Sequence, residues 1–534
     1  LSVGEAASME NNEPDPGWDW VTMGELLEAK GISWKVYQEA DNFDDNGFAW
    51  SDTFMKAKEG EPLFDKGMVR QKDAIQALED DVKNATLPQV SWVVAPADKS
   101  EHASYHPCAG EDWTARLLIA LQSNPDVYKK TAFILNYDEG GQFYDHAWTP
   151  TPPMSEDLGI ATMSTEGEIN HDANYQDYDA PIGMGFRVPL LVISPWSRGH
   201  LVVSEVFDHV SAIKFIEKRF GIFNPNLSAW RRAMVGDLTS AFDFDSEPDY
   251  SWPDLPDTSD YVKAGEAECK ELPPITIPTE QSMPKQEDGT RISRALDYEF
   301  IVSDVGIDAD GKFTFTIDNT GGLGAPFVLF DVNHIDTARP RNYAIEGGKK
   351  VTDAVVVVDG DQKYGFVLQG PNGFVRQFEG DVKGTKAGNA AIVFDKENSK
   401  MSFTITGGDD GKDYIVTDNA YTVLSDSVKI TTKDSKASTD AIDIDSVGRW
   451  YDVTVAEANG NYSRRFLGRM ENGKDGISDP AMASGLPGLW KRNSDEDHPP
   501  LPARLTTLER VETKLKGNRG SHKDALFLGG GDEL

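Results

Sequence analysis

The chain has 534 residues, 39% hydrophobic residues and 12 tryptophans, so most of it is expected to fold, into about three or four domains. Its 89 acidic and 52 basic side chains give a formal net charge of -37, which repels nucleic acids and anionic bilayers and disfavours both as partners. No run of about 20 apolar residues predicts a membrane span.

Residues 1–245 alternate helical and strand patterns. A helix is predicted over residues 23–30, with Thr22 as its N-cap and Gly31 as its left-handed end. Further helices are predicted over 112–122 and 206–220, and strands over 32–37, 90–95, 132–137 and 188–194. This alternation is typical of an α/β domain whose sheet is sandwiched by helices.

The rest of the chain reads as a linker followed by β structure. Residues 246–288 are rich in Pro, Asp, Glu and Ser, which indicates an acidic linker. Beyond it, Phe315 and Phe403 recur 88 positions apart within similar segments, and Arg376 and Arg464 do the same. We therefore expect two small all-β sandwich domains of about seven strands each, over 289–385 and 386–480, and an extended tail over 481–534.

Two adjacent carboxylates, Asp138 and Glu139, follow the apolar run 133–137 and lead into a glycine loop that ends at His146. Most Asp-Glu pairs lie in exposed turns. A buried parallel strand would instead place this pair at the carboxyl edge of a sheet, where ligands bind. Neighbouring carboxylates repel each other there unless a cation or a proton holds them, so the pattern predicts a site for a divalent metal ion.

Three other candidate segments follow strands or begin a helix. His102 lies on the loop after strand 90–95, and a surface or capping role is its alternative. His209 follows Asp208 at the start of the last helix. A simple preference of these two residues for a helix N-terminus is the alternative to a role in the site, and it is the simpler interpretation. The stretch 34–46 ends a strand with amides and acids among aromatic side chains, which suits a cationic head group through cation–π attraction, although packing also explains the rings.

Together these segments resemble the bacterial phosphocholine-preferring phospholipase C family, which has acid phosphatase relatives and an alkaline-phosphatase-like fold. The resemblance is carried by residues 31–37, 41–46, 101–102, 137–139, 143–146, 187–195 and 207–209, and further along the chain by 226–232, 236–242 and 477–482. It implies a metal-dependent hydrolase that cleaves choline phospholipids to diacylglycerol and phosphocholine.

Carried over residue by residue, the resemblance implies roles for single side chains. Asp138 and Glu139 correspond to the metal-binding pair of the family, and His102 to its active-site histidine. His146 and His209 match motif positions and are expected to be catalytic. The substrate contacts are expected at Tyr37, Asn42 and Asp45.

One departure from the family pattern concerns the start of the chain. The family carries a Glu-Asn metal pair and a nucleophilic Thr or Ser upstream of the point at which Leu1 aligns. We therefore expect the chain to be either a fragment of a complete enzyme or a homologue that has lost catalytic activity.

Two other functions compete with a phospholipase C. The same fold suits a phosphomonoesterase, and the chain could equally serve as a non-catalytic lipid- or glycan-binding surface protein. The expected partners are a phospholipid with a phosphocholine head group and, transiently, a membrane surface. Secretion is the expected localisation, with retention in the endoplasmic reticulum through residues 531–534 (Gly-Asp-Glu-Leu) as the alternative. Cys108 and Cys269 allow one disulfide at most and do not decide the compartment.

Overall fold

The computed structural model describes residues 16–41, 45–140, 147–170, 179–252, 254–273, 276, 279, 289–358, 360, 362–383 and 388–481. The predicted tail beyond residue 481, with the Gly-Asp-Glu-Leu segment at 531–534, lies outside this part of the chain. All described residues belong to one compact unit.

Most of the helices lie in the first half of the chain and most of the strands in the second. The helices are α1 Met23–Lys30, α2 Asp52–Lys56, α3 Pro62–Gly67, α4 Ala74–Lys83, α5 Pro107–Gln122, α6 Pro125–Tyr128, α7 Val210–Phe220, α8 Ala229–Met234 and α9 Tyr261–Glu271. The early strands are β1 Trp34–Tyr37, β2 Val90–Val93, β3 Phe133–Asn136, β4 Gly159–Ala161, β5 Ile169–Asn170, β6 Ala180–Pro181, β7 Leu190–Ile193 and β8 Ile292–Ser293.

The later strands are those of the predicted repeat. They are β9 Phe300–Ile307, β10 Lys312–Asn319, β11 Ala325–Asp331, β12 Arg341–Ile345, β13 Lys349–Val356, β14 Lys363–Gln369, β15 Val375–Asp381, β16 Asn389–Asp395, β17 Lys400–Thr406, β18 Asp413–Asp418, β19 Val428–Thr431, β20 Lys436–Ser438, β21 Ile442–Asp443, β22 Trp450–Glu457, β23 Tyr462–Arg469 and β24 Gly476–Ile477.

The first predicted helix is confirmed together with both of its ends. The Thr22 hydroxyl accepts a hydrogen bond from the backbone N–H of Glu25 at 3.2 Å, and the Glu25 carboxylate accepts one from the backbone N–H of Thr22 at 2.7 Å. Gly31 adopts a φ of 72°, which glycine reaches without the cost of a Cβ. Local chemistry alone thus sets the bounds of α1.

The predicted strands form in the α/β part, but one of them pairs differently from the prediction. β1 and β2 are parallel neighbours. The sequence predicts a buried parallel strand over residues 132–137, whereas β3 is antiparallel to β7 and its apolar side chains are half-buried. The prediction was wrong on these two points because a short apolar run indicates a strand without specifying its partner.

The predicted linker is partly ordered as helix α9, which packs against α5. The imidazole of His106 would lie 2.2 Å from a Cβ added at Gly265, so only a glycine permits this close approach of α9. The Thr258 hydroxyl donates to Asp112 at 2.7 Å. Acidic composition disfavours independent order but does not prevent a segment from folding against a neighbouring helix.

The structure confirms two copies of one β-sandwich. In the described residues, β9 to β15 form the first copy with seven strands, and β16 to β23 form the second with eight, since the two-residue β21 also pairs with β17. Each copy has two layers around its own aromatic core, of three and four strands in the first copy and of four and four in the second. Phe315 and Phe403 are buried at equivalent positions of these two cores. The sequence boundary between the copies stays a prediction.

The two copies share a sheet through β15 and β23. Arg376 pairs with Phe466 and Phe378 pairs with Arg464, so the 88-residue repeat maps one pair onto the other. Each guanidinium lies over the facing phenyl ring, with centroid distances of 5.2 Å for Arg376 and 5.4 Å for Arg464. The copies therefore meet about a pseudo-twofold axis.

The α/β part is tied to the first β copy along the outer face of the shared sheet. β4 adds to the edge of this sheet by pairing parallel with β12. Trp230 and Met234 of α8 bury their side chains against Ala344 of β12. The first β copy thus supports the elements that carry the site described below.

A buried acid near α7 gives a pH-dependent prediction. Desolvation raises the pKa of Glu205, although the Ser240 hydroxyl donates to it. A carboxyl group with a raised pKa in the folded state adds stability at acidic pH, and that stability is lost as the pH rises through the raised pKa. Glu205→Gln is therefore expected to raise the midpoint of thermal unfolding by about 2 °C at pH 8 and to give a smaller gain at pH 4. The exposed control Glu166→Gln should leave the midpoint unchanged at both pH values, and an equal shift of both variants would contradict the assignment.

Candidate functional site

Three of the predicted segments meet around Tyr137, the residue that follows β3. Its hydroxyl donates to Glu101 Oε2 at 2.9 Å, and its carbonyl oxygen lies 3.1 Å from His209 Nε2. Its backbone N–H donates to the carbonyl of Pro189, just before β7, at 3.3 Å. The loop of His102, the acidic pair and the start of α7 therefore lie together at one end of β3.

The acidic pair itself is exposed at this strand end. The backbone N–H of Glu139 donates to Asp138 Oδ1 at 2.8 Å, which turns the chain directly after the strand. Two carboxylates suit a hard divalent cation in ligand type. Nowhere in the described ranges do three or more His, Cys, Asp or Glu side chains form a group that could hold a metal ion. The predicted metal site therefore has two candidate ligands here, Asp138 and Glu139, and a complete site needs donors from elsewhere.

The loop that carries His102 is fixed by its neighbour Glu101. Glu101 has a positive φ of 61°, and a Cβ added at Gly110 of α5 would lie 2.2 Å from its Cγ, so the glycine makes room for the glutamate. His102 Nδ1 accepts from the backbone N–H of Ser104 at 3.4 Å. With Nδ1 as acceptor, the proton of a neutral His102 lies on Nε2.

The contact between Glu101 and Tyr137 is partly withdrawn from water. Burial raises the pKa of Tyr137 to about 12, and the neighbouring Glu101 carboxylate adds to the shift. Burial also raises the pKa of Glu101, with the charge of Glu111 acting in the same direction. Tyr137 therefore stays protonated at neutral pH and donates to Glu101, which locks the His102 loop onto the strand end.

His209 is held from the other side by a network of charged residues. Asp208 accepts from the backbone N–H of Val210 at 2.8 Å and pairs with Arg231 at 2.5 Å, while Arg231 also pairs with Glu168 at 3.0 Å. Since a carbonyl oxygen only accepts, His209 Nε2 must donate to Tyr137. In this arrangement His209 acts as a positioning residue for the backbone beside Asp138.

The predicted substrate contacts do not gather at Tyr137 in the described structure. Tyr37 is fully buried, and its hydroxyl donates to Asp81 of α4 at 2.7 Å, so its ring belongs to the core and offers no surface to a head group. Asp45 is exposed, directly before Asn46, which caps the following helical turn. Asn42 and His146 lie outside the described residues.

A groove of about 1160 Å³ lies elsewhere, between residues 153–166 and the first β copy. Its lining includes Met154, Arg339 and Val356 and none of the predicted site residues. Arg341 lines the groove and connects its two sides: it donates to the backbone carbonyl of Glu156 at 3.1 Å and pairs with Asp353 at 2.8 Å. The groove is therefore distinct from the strand-end site.

Sequence reasoning assigned no role in the site to Glu101, Tyr137 or Arg231. All three lie within segments that carry the family resemblance, 101–102, 137–139 and 226–232, and this was the available signal. Arg231 lies 23 positions from Asp208, and only the folded chain brings them together. The two cysteines are not joined by a disulfide: Cys108 is partly buried and Cys269 is exposed.

Comparison with known proteins gives the same picture over nearly the whole chain. Residues 3–223 match the Phosphoesterase family, and residues 292–381 match the C-terminal domain of bacterial phospholipase C. The chain is 37% identical over 503 residues to a non-hemolytic phospholipase C of Burkholderia pseudomallei, covering 88% of this chain and 71% of that protein.

Two proteins of Pseudomonas aeruginosa are similar to a comparable extent. A non-hemolytic phospholipase C is 38% identical, covering 89% of this chain and 70% of that protein. A hemolytic phospholipase C is 35% identical, covering 87% of this chain and 70% of that protein.

Proposed function

The chain belongs to the bacterial phospholipase C family, and on that basis we propose that it hydrolyses the phosphodiester bond of choline phospholipids to diacylglycerol and phosphocholine. The observation that carries the proposal is the convergence of the His102 loop, the Asp138–Glu139 pair and His209 on Tyr137. Separate stretches of sequence that resemble one family of hydrolases thus meet at one strand end. A site of this kind is expected where the chemistry depends on several loops.

The residues of the chain have distinct roles in the proposed reaction. Asp138 and Glu139 would hold a divalent cation together with further donors from other parts of the chain. When bound, such a cation stabilises negative charge on the phosphoryl oxygens. His102 is proposed to protonate a leaving oxygen from Nε2, the atom that carries the proton of the neutral ring when Nδ1 accepts from Ser104. Glu101 and His209 position Tyr137, and through it the acidic pair.

Choline preference and metal dependence are tested together by product release. The protein encoded by the whole gene is incubated with phosphatidylcholine, with p-nitrophenyl phosphorylcholine and with p-nitrophenyl phosphate, each with and without a chelator. We expect release of phosphocholine, at least tenfold preference for the choline diester over the monoester, and loss of activity with chelator that added divalent metal restores. Preference for the monoester would identify a phosphomonoesterase. Release from none of the three would overturn the proposal.

The proposal includes contact with the surface that contains the substrate. A phospholipid is reached at a bilayer, so the protein has to approach the lipid-water interface during turnover. In the described residues no helix has both the length and the apolar character to cross a bilayer. The proposal also includes passage through the secretory pathway, since a protein secreted in this way meets the phospholipids of an outer leaflet.

A further inference from the structure

We propose that three exposed aromatic side chains at the mouth of the site, Tyr105, Trp148 and Phe186, form a surface that docks on zwitterionic phosphatidylcholine bilayers. This surface is called the aromatic rim below. The inference rests on the proposed function and adds the place and the chemistry of the membrane contact.

The aromatic rim is assembled from segments that run side by side. The Thr149 hydroxyl donates to the carbonyl of Gly185 at 2.8 Å, and the backbone N–H of Met184 donates to the carbonyl of Pro150 at 3.1 Å. Trp148 and Phe186 are the next residues along these two paired segments. They therefore lie close to each other.

The same segments lie beside the candidate site. Phe186 comes three residues before Pro189, whose carbonyl accepts from the backbone N–H of Tyr137 at 3.3 Å. Tyr105 lies on the His102 loop, which Glu101 ties to the Tyr137 hydroxyl at 2.9 Å. Tyr105, Trp148 and Phe186 thus stand on loops that adjoin the end of β3, where Asp138 is exposed.

All three rings of the aromatic rim are exposed. Phe186 is 51% exposed, Trp148 46% and Tyr105 36%. The indole of Trp148 packs edge-on against Phe330 of β11, with ring centroids 5.3 Å apart, so the first β copy holds it in place. Exposed aromatic rings on a fixed backbone suit the lipid-water interface, where their apolar bodies and polar tips are both satisfied.

The charge of the chain selects the kind of bilayer. A formal net charge of -37 opposes approach to anionic lipids and gives no long-range attraction to neutral ones. Docking then depends on short-range burial of aromatic surface and on cation–π contacts with the choline groups of the lipid. A zwitterionic phosphatidylcholine surface is the occupant that meets these conditions.

Vesicle binding tests the rim without requiring turnover. Wild-type protein is compared with the variants Phe186→Ser, Trp148→Phe and Phe186→Ser/Trp148→Ser in vesicle flotation. One set of vesicles is pure phosphatidylcholine, and the other contains about 30 mol% phosphatidylglycerol, whose negative surface potential repels the acidic chain. We expect wild-type binding to phosphatidylcholine, weaker binding to the anionic vesicles, and a loss of about tenfold in partition coefficient for the double variant. Trp148 fluorescence, taken as wild type minus Trp148→Phe, should be quenched by brominated phosphatidylcholine.

The matched control is Phe223→Ser. Phe223 is 64% exposed and follows the far end of α7, the helix whose first turn adjoins His209. This control should bind vesicles as wild type does, and thermal unfolding of every variant checks that the fold is kept. Unchanged flotation of the double variant, or a change in self-association in place of vesicle binding, would overturn the inference. Absence of phospholipid hydrolysis with vesicle binding intact would count against the proposed function alone.

Discussion

Replacing Asp138 by Asn is expected to reduce turnover of the choline diester by at least about a hundredfold while leaving the fold intact. The substitution removes one carboxylate charge from the proposed cation site but keeps the size of the side chain. Because Asp138 is exposed and follows the end of β3, its contribution to packing is small, and the free energy of unfolding should change by no more than about 0.5 kcal/mol. Calorimetric titration with divalent metal should show weaker binding in the variant.

The control for this experiment is Asp126→Asn. Asp126 is a strongly exposed carboxylate in α6, beyond the end of α5 that lies away from the His102 loop. Metal titration and phosphocholine release should both match wild type. Full activity of Asp138→Asn would show that the acidic pair does not hold the catalytic cation. Loss of activity in both variants would point to a general effect of charge.

Replacing Asp304 by Asn is expected to destabilise the β-sandwich region by about 3 to 5 kcal/mol. Asp304 accepts two hydrogen bonds from Arg464, at 2.9 Å from Nε and 2.7 Å from Nη2, and both side chains are almost completely buried. Removing the carboxylate leaves a buried guanidinium charge without its counter-ion. The change is measured as a shift of the urea midpoint of the intact chain.

Two comparisons separate this effect from charge removal in general. Asp413 pairs with Lys429 at 2.7 Å at the surface of the second copy, where solvent screens the pair, so Asp413→Asn should shift the urea midpoint far less than Asp304→Asn does. The double variant Asp304→Ile/Arg464→Met should recover much of the lost stability, since apolar residues of similar volume can replace a buried ion pair. Ile392 already stands 88 positions after Asp304 in the second copy. Equal destabilisation by Asp304→Asn and Asp413→Asn would contradict the argument.

The repeat illustrates how much of the fold could be predicted. The 88-residue spacing of Arg376 and Arg464 and of Phe315 and Phe403 predicts two sandwiches, and the structure confirms them. The sequence does not indicate that β15 and β23 join edge to edge, because a strand pattern identifies the buried face without naming the neighbouring strand. The ion pair of Arg464 with Asp304 escaped prediction for the same reason, since its partners lie 160 positions apart.

The candidate site, too, could be predicted only in part from the sequence. His102, Asp138 and His209 were found from motifs, because short polar segments at the ends of apolar runs are visible in the sequence. Tyr37 was misjudged, since the same aromatic pattern serves a binding surface and a core, and only burial against α4 separates the two. Arg231 lies within the matching segment 226–232, but its pairing with Asp208 is visible only in the folded chain.

The sequence by itself determined the features that depend on neighbours along the chain. These are the capped ends of α1, the strand segments, the repeat and the acidic pair after β3. Only the tertiary structure decided that β3 runs antiparallel to β7, that Glu101 and His209 both hold Tyr137, and that the segments of Trp148 and Phe186 are joined through Thr149 and Gly185. The physical reason is the separation along the chain of the residues that make each contact. Caps and turns depend on hydrogen bonds within a few residues, whereas strand partners and buried charge pairs depend on contacts between segments that come together only when the core is packed.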